Sequence, residues 1–458
     1  MKTLSKFALT LALTACSTGP TPAQDATVED SPARNDAATR ETSAAPEDAQ
    51  EPSLDAVAED TATSPDAIAP TDAATSPDAI APTDAASDAP AAMCTEVVRT
   101  AAELIAAAQR LGPGRVVCIA PGRYVLSQRI SLGMARSGTA AAPAVIRSQN
   151  GRGTVTIDGA NNEEAFFLSG ASFVQIRGLI ITGGQYHGVK IDAPSGDIVV
   201  SDCEIVDTFN GTDANSQLSP IKGYQAPRVL IEGNSIHFSR RWIGNNIQGV
   251  DCNACPQWTV RDNEIYDIRA RAGGTSGTAI QFKSGSSETV IERNVLHDSF
   301  IGISFGGFGS PMAWSGQPWE HVAGVVRNNV IYRCEDAGIT VIYARDGRIV
   351  NNTLWGNGFT PDVRRMAMNV RYQNNILDRA LNFRDGTAGG VMAANNLVLA
   401  SPMESALFVN AARGDFHLAA GASMAINRGM SLASDVPDDM DREARPRGGA
   451  FDIGADER

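Results

Sequence analysis

Beyond Gly114 the chain runs in short stretches of alternating apolar and polar residues, broken by Gly, Asn and Asp. A period of two predicts strands, and the stretches are too short for repeat helices. They recur around one slot: Asn234-Ser235-Ile236, Asn263-Glu264-Ile265, Asn294-Val295-Leu296, Asn329-Val330-Ile331 and Asn352-Thr353-Leu354. Asn375 and Asn396 continue the series, and Gly178 and Cys203 fill the slot earlier. Intervals vary from 21 residues (375 to 396) to 35 (294 to 329). A constant Asn with elastic spacing predicts a solenoid in which Asn occupies one tight, left-handed turn per coil and stacks into a ladder. Ahead of the repeat, Val98, Ala102, Ile105, Ala106 and Leu111 recur at helical spacing, so residues 95–111 predict a capping helix that Gly112-Pro113-Gly114 stops.

The repeat resembles right-handed parallel β-helices of the pectate-lyase type. Residues 138–146, then Val155-Thr156-Ile157-Asp158-Gly159, are similar to the first coils of that family. The tail Asp452-Ile453-Gly454-Ala455-Asp456-Glu457 is similar too, although relatives carry Tyr where Asp456 stands. The resemblance implies an all-β domain with three strands per coil: one before the Asn, one after it, and a third beyond a looser loop. Third strands are expected around Gly188, Pro220, Gln248, Ala279, Gly302, Gly338 and Leu381. Alternation then turns Ile280 and Phe282 inward, and Lys190, Asp192, Lys222, Gln248, Asp251, Gln281, Lys283 and Arg384 outward.

The first hundred residues differ in kind. Lys2 and Lys6 precede a short apolar run, residues 7–15, too short to span a bilayer. Leu13-Thr14-Ala15-Cys16 resembles the lipobox of bacterial lipoproteins, which implies cleavage before Cys16, lipidation there and, with Ser17 following, the outer membrane. An ordinary secretory signal ending in Cys is the other reading. Residues 17–93 are rich in Ala, Pro, Asp, Ser and Thr, and residues 63–74 are copied at 75–86. Such a segment cannot bury enough apolar surface to order itself, so it is expected to be a solvated, extended stalk. It holds 16 Asp and Glu against 2 Arg, whereas residues 94–458 carry 36 acidic and 34 basic side chains. The acidity therefore belongs to the stalk, and nucleic acid is not an expected partner. Six Cys remain in the domain, an even number compatible with disulfides in an exported protein. For Cys252-Asn253-Ala254-Cys255 a loop-stapling disulfide is favoured over zinc, which would need further Cys or His ligands.

Candidate chemistry lies on the third strand. After residue 6 the chain has three Lys, Lys190, Lys222 and Lys283, and all are placed on the outward side of this strand within four coils. Lys222 and Lys283, two coils apart, are expected about 10 Å from one another. A set of solvated bases avoiding like-charge stacking is the bland alternative. Long insertions flank the strand at residues 207–219, 238–245, 267–278 and 308–322, bringing Arg240, Arg241, Trp242, Arg269, Arg271, Trp314, Trp319 and His321. As walls of a groove, Trp242, Trp314 and Trp319 would stack on sugars, and Lys190, Gln281 and Arg269 would hold carboxylates. By contrast, His237, Tyr266, His297, Tyr332 and Trp355 each fall three residues after a ladder Asn, which predicts a plain side-chain stack.

Lys283-Ser284, after Ala279-Ile280-Gln281-Phe282, resembles the Lys-Ser of the chondroitinase-B and alginate-lyase family. That likeness implies β-elimination of an acidic polysaccharide with Lys283 as base and an Arg of the next coil as acid. Here Gly306 stands at that second position, leaving Lys222 and Arg271 or Arg269 as the other catalytic candidates. Calcium is expected, if at all, at Asp192 and Asp251. The same two carboxylates would suit an inverting glycoside hydrolase, but the polygalacturonase and mannuronan-epimerase motifs are absent. The rival class is a non-catalytic, tethered glycan-binding or adhesin-like protein.

Overall fold

The computed structural model describes residues 93–209, 217–242, 244, 246–307, 316–384, 389–399 and 403–458. Cys16, the stalk and Trp314 lie outside the described residues, so the expectations for them stand untested. The strands assemble into three long parallel sheets, as a right-handed parallel β-helix requires. One coil shows the plan: Thr259–Arg261 before the turn, Asn263 in it, Glu264–Tyr266 after it, and Thr278–Lys283 as the third strand. Pre-turn strands form a 12-stranded sheet, post-turn strands an 11-stranded one, and third strands another of 12, among the described residues.

The turn differs from expectation by one residue. Positive φ falls on the residue before each ladder slot, whether Cys203 or an Asn: Asp202, Gly233, Asp262, Arg293, Asn328, Asn351, Asn374 and Asn395. Gly178 also has positive φ, so Leu179 holds the ladder slot in its coil. This leaves the ladder Asn free to bond along the axis. Asn263, Asn294, Asn329, Asn352, Asn375 and Asn396 each accept, through the side-chain oxygen, the backbone N–H and side-chain amide of the Asn one coil earlier, at 2.8–3.1 Å. Each interior amide also donates to a strand carbonyl, as Asn294 does to Val260 at 2.9 Å. The row is buried and its hydrogen bonds are cooperative along the axis.

Inside the coil, alternation delivers stacks of like residues. Val189, Ile221, Val250, Ile280, Ile303 and Ile339 pair in register along the third sheet, all fully buried. Ile205, Ile236, Ile265, Leu296, Ile331, Leu354 and Leu377 do the same after the turn. At the N-terminal end the helix is shorter than residues 95–111. Glu96–Val98 instead pairs with Val116–Ile119, and the helix spans Ala101–Ala108. Thr100 decides its start by accepting from the Glu103 N–H at 3.1 Å. Leu104, Ala107 and Ala108 are buried in the core, and a Cys94–Cys118 disulfide fastens the preceding chain.

The C-terminal tail returns along the pre-turn sheet. Asp452 and Gly454 carbonyls accept from Asn351, and Arg348 pairs with Asp435 at 2.5 Å. Arg445 and Glu457, both fully buried, pair at 2.7 Å and lock the tail upon itself.

Replacing Asn294 with Ala strands buried groups on both neighbouring coils and is expected to cost about 3–5 kcal/mol. At Asn396, where the described ladder ends, the same change is expected to cost about 1 kcal/mol. Urea denaturation of the two variants checks this; equal losses would contradict a ladder that acts from both sides.

Candidate active site

Parallel register defines the outward rows of the third sheet. One row runs Phe167, Lys190, Lys222, Asp251, Gln281, Ser304, Thr340, Asp362 and Asn382. A second, two residues further along each strand, runs Asp192, Tyr224, Asn253 and Lys283. Lys222 and Lys283 thus occupy different rows, two coils apart, as the strand alternation requires. The coil between them supplies Asp251, and both amines bend to it. Lys222 binds its Oδ2, and Lys283 lies 2.8 Å from its Oδ1. The two lysines are therefore not separate bases 10 Å apart; one carboxylate joins them.

Asp251 has no exposed surface. Burial alone would raise its pKa, but Lys222 and Lys283 outweigh burial and hold it at about 2. Gln217 adds a 2.5 Å hydrogen bond to Oδ2. Lys222 is itself 7 % exposed, and its pKa is lowered because desolvation outweighs the attraction of Asp251. Lys283 is the more open amine, with 18 % of its side chain exposed, and it also donates to Gln281 at 3.0 Å. Lys190 lies one coil from Lys222, pairs with Asp192 at 3.4 Å, and sits over the Phe167 ring at 5.4 Å.

This arrangement does not fit calcium at Asp192 and Asp251. Those carboxylates stand in different rows, and each is already matched to ammonium groups, three cations for two anions. An added divalent ion would need both carboxylates released from their lysines.

The expected walls fare differently. Trp242 is 1 % exposed and packs edge-on against Phe209 at 4.7 Å, so with Phe238 it belongs to the main hydrophobic core and offers no face to a sugar. Trp319 is 6 % exposed and likewise inside. Arg269 is committed to acids, Asp298 at 3.1 Å and Glu335 at 3.0 Å, and Arg241 joins it on Glu335. Arg240 lies over the Phe209 ring. Arg271 is exposed, in a turn where its carbonyl accepts from Gly274, and shows no bond to the lysines among the described residues. His321 stacks on Phe305 at 4.0 Å, bonds Thr289, and burial holds its pKa at about 3. The Arg384 side chain pairs with Asp336 and Asp362 at the far end of the sheet.

Gly306 is where the substitution for Arg has a physical reason. Its φ is 107°, and a Cβ there would lie 2.0 Å from the Ile342 carbonyl oxygen. No side chain fits at this position without moving the Ile342 backbone.

Sequence reasoning did not single out Gln217, His187, Glu320 or Phe167. His187 bonds the Ser219 carbonyl at 3.1 Å and is held neutral by burial, at about 3. Glu320, 2 % exposed, accepts from the Ser284 N–H beside Lys283, and burial raises its pKa. It lies within the 308–322 insertion, whose Trp and His residues are the more conspicuous signal in the sequence. Behind Asp251, Cys252 and Cys255 form the expected disulfide, which closes the turn out of the strand, while Cys203 and Cys334 are free and buried.

On the post-turn sheet, His237, Tyr266, His297 and Tyr332 stack at 4.6, 5.0 and 4.9 Å with near-parallel rings. Trp355 leaves the stack and packs edge-on against Phe408. The row is structural, as expected.

Removing the Lys222 amine leaves a buried carboxylate short of a partner, so Lys222→Met is expected to cost about 3–5 kcal/mol. Lys190→Met, at a partly exposed pair, is expected to cost below about 1 kcal/mol. Because Asp251's folded pKa lies below the unfolded value of about 3.9, its contribution is complete above that pH and is lost as the pH falls toward 2. Denaturation midpoints against pH check both statements; equal losses for the two Lys variants would contradict the burial argument.

The model of the right handed beta helix region matches residues 144–358 and 248–401. No curated protein sequence matches the chain. Among solved structures, the chain is similar to the pectate lyase Pel9A, with 15 % identity, a TM-score of 0.50, and coverage of 80 % of this chain and 98 % of that one. A glycoside hydrolase is similar at 9 % identity and a TM-score of 0.50, covering 66 % of this chain and 93 % of that one. An alginate lyase from Paenibacillus sp. str. FPU-7 has 16 % identity and a TM-score of 0.45, covering 67 % and 100 %. These identities speak to fold. With more than half of its length matched and the Asn-turn coil observed throughout, the chain belongs to the right-handed β-helix family.

Proposed function

We propose that the lysine face of the third sheet is the active site of a polysaccharide lyase that cleaves a uronate-containing chain by β-elimination. The observation that carries this reading is the meeting of Lys222 and Lys283 at one buried carboxylate, in a domain whose other basic side chains apart from Lys190 and the histidines are Arg. Arg stays protonated at working pH, whereas a Lys among other cations can lose its proton and serve as a base. The pectate lyase of like fold supports the substrate class, and this chain spans 98 % of it.

β-Elimination removes the proton beside the uronate carboxylate, forms a carbon–carbon double bond and expels the glycosidic oxygen. Lys283, the more exposed amine, takes that proton. Lys222 and Lys190 ammonium groups neutralise the substrate carboxylate, whose negative charge grows as the proton leaves. The expelled oxygen then takes its proton from the Lys283 ammonium just formed, since Gly306 bears no side chain and Arg269 is tied to Asp298 and Glu335. The charge that calcium would provide is built in as ammonium. Residues 17–93 and a lipid on Cys16 would carry the domain on the outer membrane, and fatty-acid labelling lost in Cys16→Ala tests that anchor.

Incubated with pectate, alginate or chondroitin, the protein is expected to generate the ultraviolet absorbance of an unsaturated uronate. Lys283→Ala is expected to lower the rate at least 1,000-fold with binding retained, and chelator is expected to leave the rate unchanged. A wild-type rate in Lys283→Ala would remove it as base. The empty position at Gly306 favours a second reading, a tethered glycan-binding protein. Binding without any absorbance change across the panel would establish that one.

A further inference from the structure

We propose that Asp251 is the positioning residue of this site: its carboxylate holds Lys222 and Lys283 on its two oxygens and makes the two amines one proton-sharing unit. The register requires it. Asp251 lies opposite Lys222 in one neighbouring coil, and in the other Lys283 sits two residues beyond Asp251's own partner, Gln281. Each amine reaches a different oxygen, and neither oxygen faces solvent. The Cys252–Cys255 disulfide and the Ala254 N–H, which donates to the Lys283 carbonyl at 2.9 Å, fix the strand end that carries the carboxylate.

Two protonated amines around one carboxylate leave one positive charge in excess. Burial makes that excess costly, and it falls on Lys222, whose pKa is lowered because desolvation outweighs the attraction of Asp251 and Lys283 adds a like charge. Asp251 thereby sets two things at once, where the Lys283 amine stands and how far the Lys222 ammonium is held against burial. Among the described residues, other titratable groups facing the unit are few. Lys190 with Asp192 lies on the preceding coil, His187 beside Lys222 is held neutral by burial, and Glu320 lies beyond Lys283. The kinetic consequence rests on the lyase reading, whereas the coupling itself does not.

The chain is suited to a direct test, because after residue 6 it contains three lysines. Side-chain amine signals of isotopically labelled lysine, followed against pH in the folded protein, report each one separately, with Lys190 as internal reference. In Asp251→Asn the lost negative charge no longer favours ammonium, so the Lys222 midpoint is expected to fall by about one unit or more. Lys190 should move far less. In Lys283→Met a neighbouring positive charge is gone, so the Lys222 midpoint is expected to rise. This second variant alters a side chain at the surface and serves if Asp251→Asn does not fold. Where turnover is measurable, the acidic limb of kcat against pH should shift downward in Asp251→Asn while KM changes little; a purely structural role would lower the amplitude without moving the limb. Unchanged midpoints in either variant would overturn the proposal. Coupled midpoints in a protein without turnover would uphold it and count against the lyase reading alone.

Discussion

The register of most coils depends on the hydrogen-bonded row of Asn side chains, Asn234 to Asn396, at the corner between the first two strands. The residue before the Asn adopts a left-handed backbone, and the Asn then binds backbone and side chain of the coil behind it. Because strand alternation has a period of two, a slip of one residue would exchange the inner and outer faces. From Asn234 to Asn396 the ladder prevents that slip at each coil. Loops between the other corners vary in length without consequence for register, which is how coils of 21 to 35 residues share one core.

Register in turn produces the electrostatics. The inner face of the third sheet is an aliphatic stack, and its outer face collects Lys190, Lys222, Asp251 and Lys283 within four successive coils. Isolated, these charges would be surface decoration. Held in register and partly desolvated, they act on one another, and Asp251 is ionised at a depth where a lone carboxylate would be protonated. Contrast the pre-turn sheet, where Glu232, Arg261, Glu292 and Arg327 alternate in sign in neighbouring strands. That row neutralises itself, is supported by the returning tail, and keeps no excess charge for chemistry.

Much of this was legible in the residues. The Asn slots announced the coil, and alternation placed Ile280 and Phe282 inside and Lys283 outside. What could not be read was which outward groups find each other, since that depends on side-chain reach between rows. Asp251 looked like a metal ligand because a sequence shows its charge but not the two ammonium groups around it. Trp242 and Trp319 looked like sugar platforms because they lie in insertions; the insertions fold part of their own apolar surface inward. The left-handed residue was misplaced by one because Asn tolerates that conformation, yet an Asn used for axial bonding does so better from the next position. Gly306 was visible as a missing Arg, while its cause, the Ile342 carbonyl, belongs to the neighbouring coil.

The central claim is that acidic glycan sits on the lysine face. Amine-reactive labelling of the folded protein, quantified by mass spectrometry at each lysine, tests it with oligosaccharides of pectate, alginate and chondroitin. The account predicts that one of these slows modification of Lys283 and Lys190 together at least tenfold, with a neutral oligosaccharide having no effect. Equal labelling of both with and without every acidic oligosaccharide would contradict it.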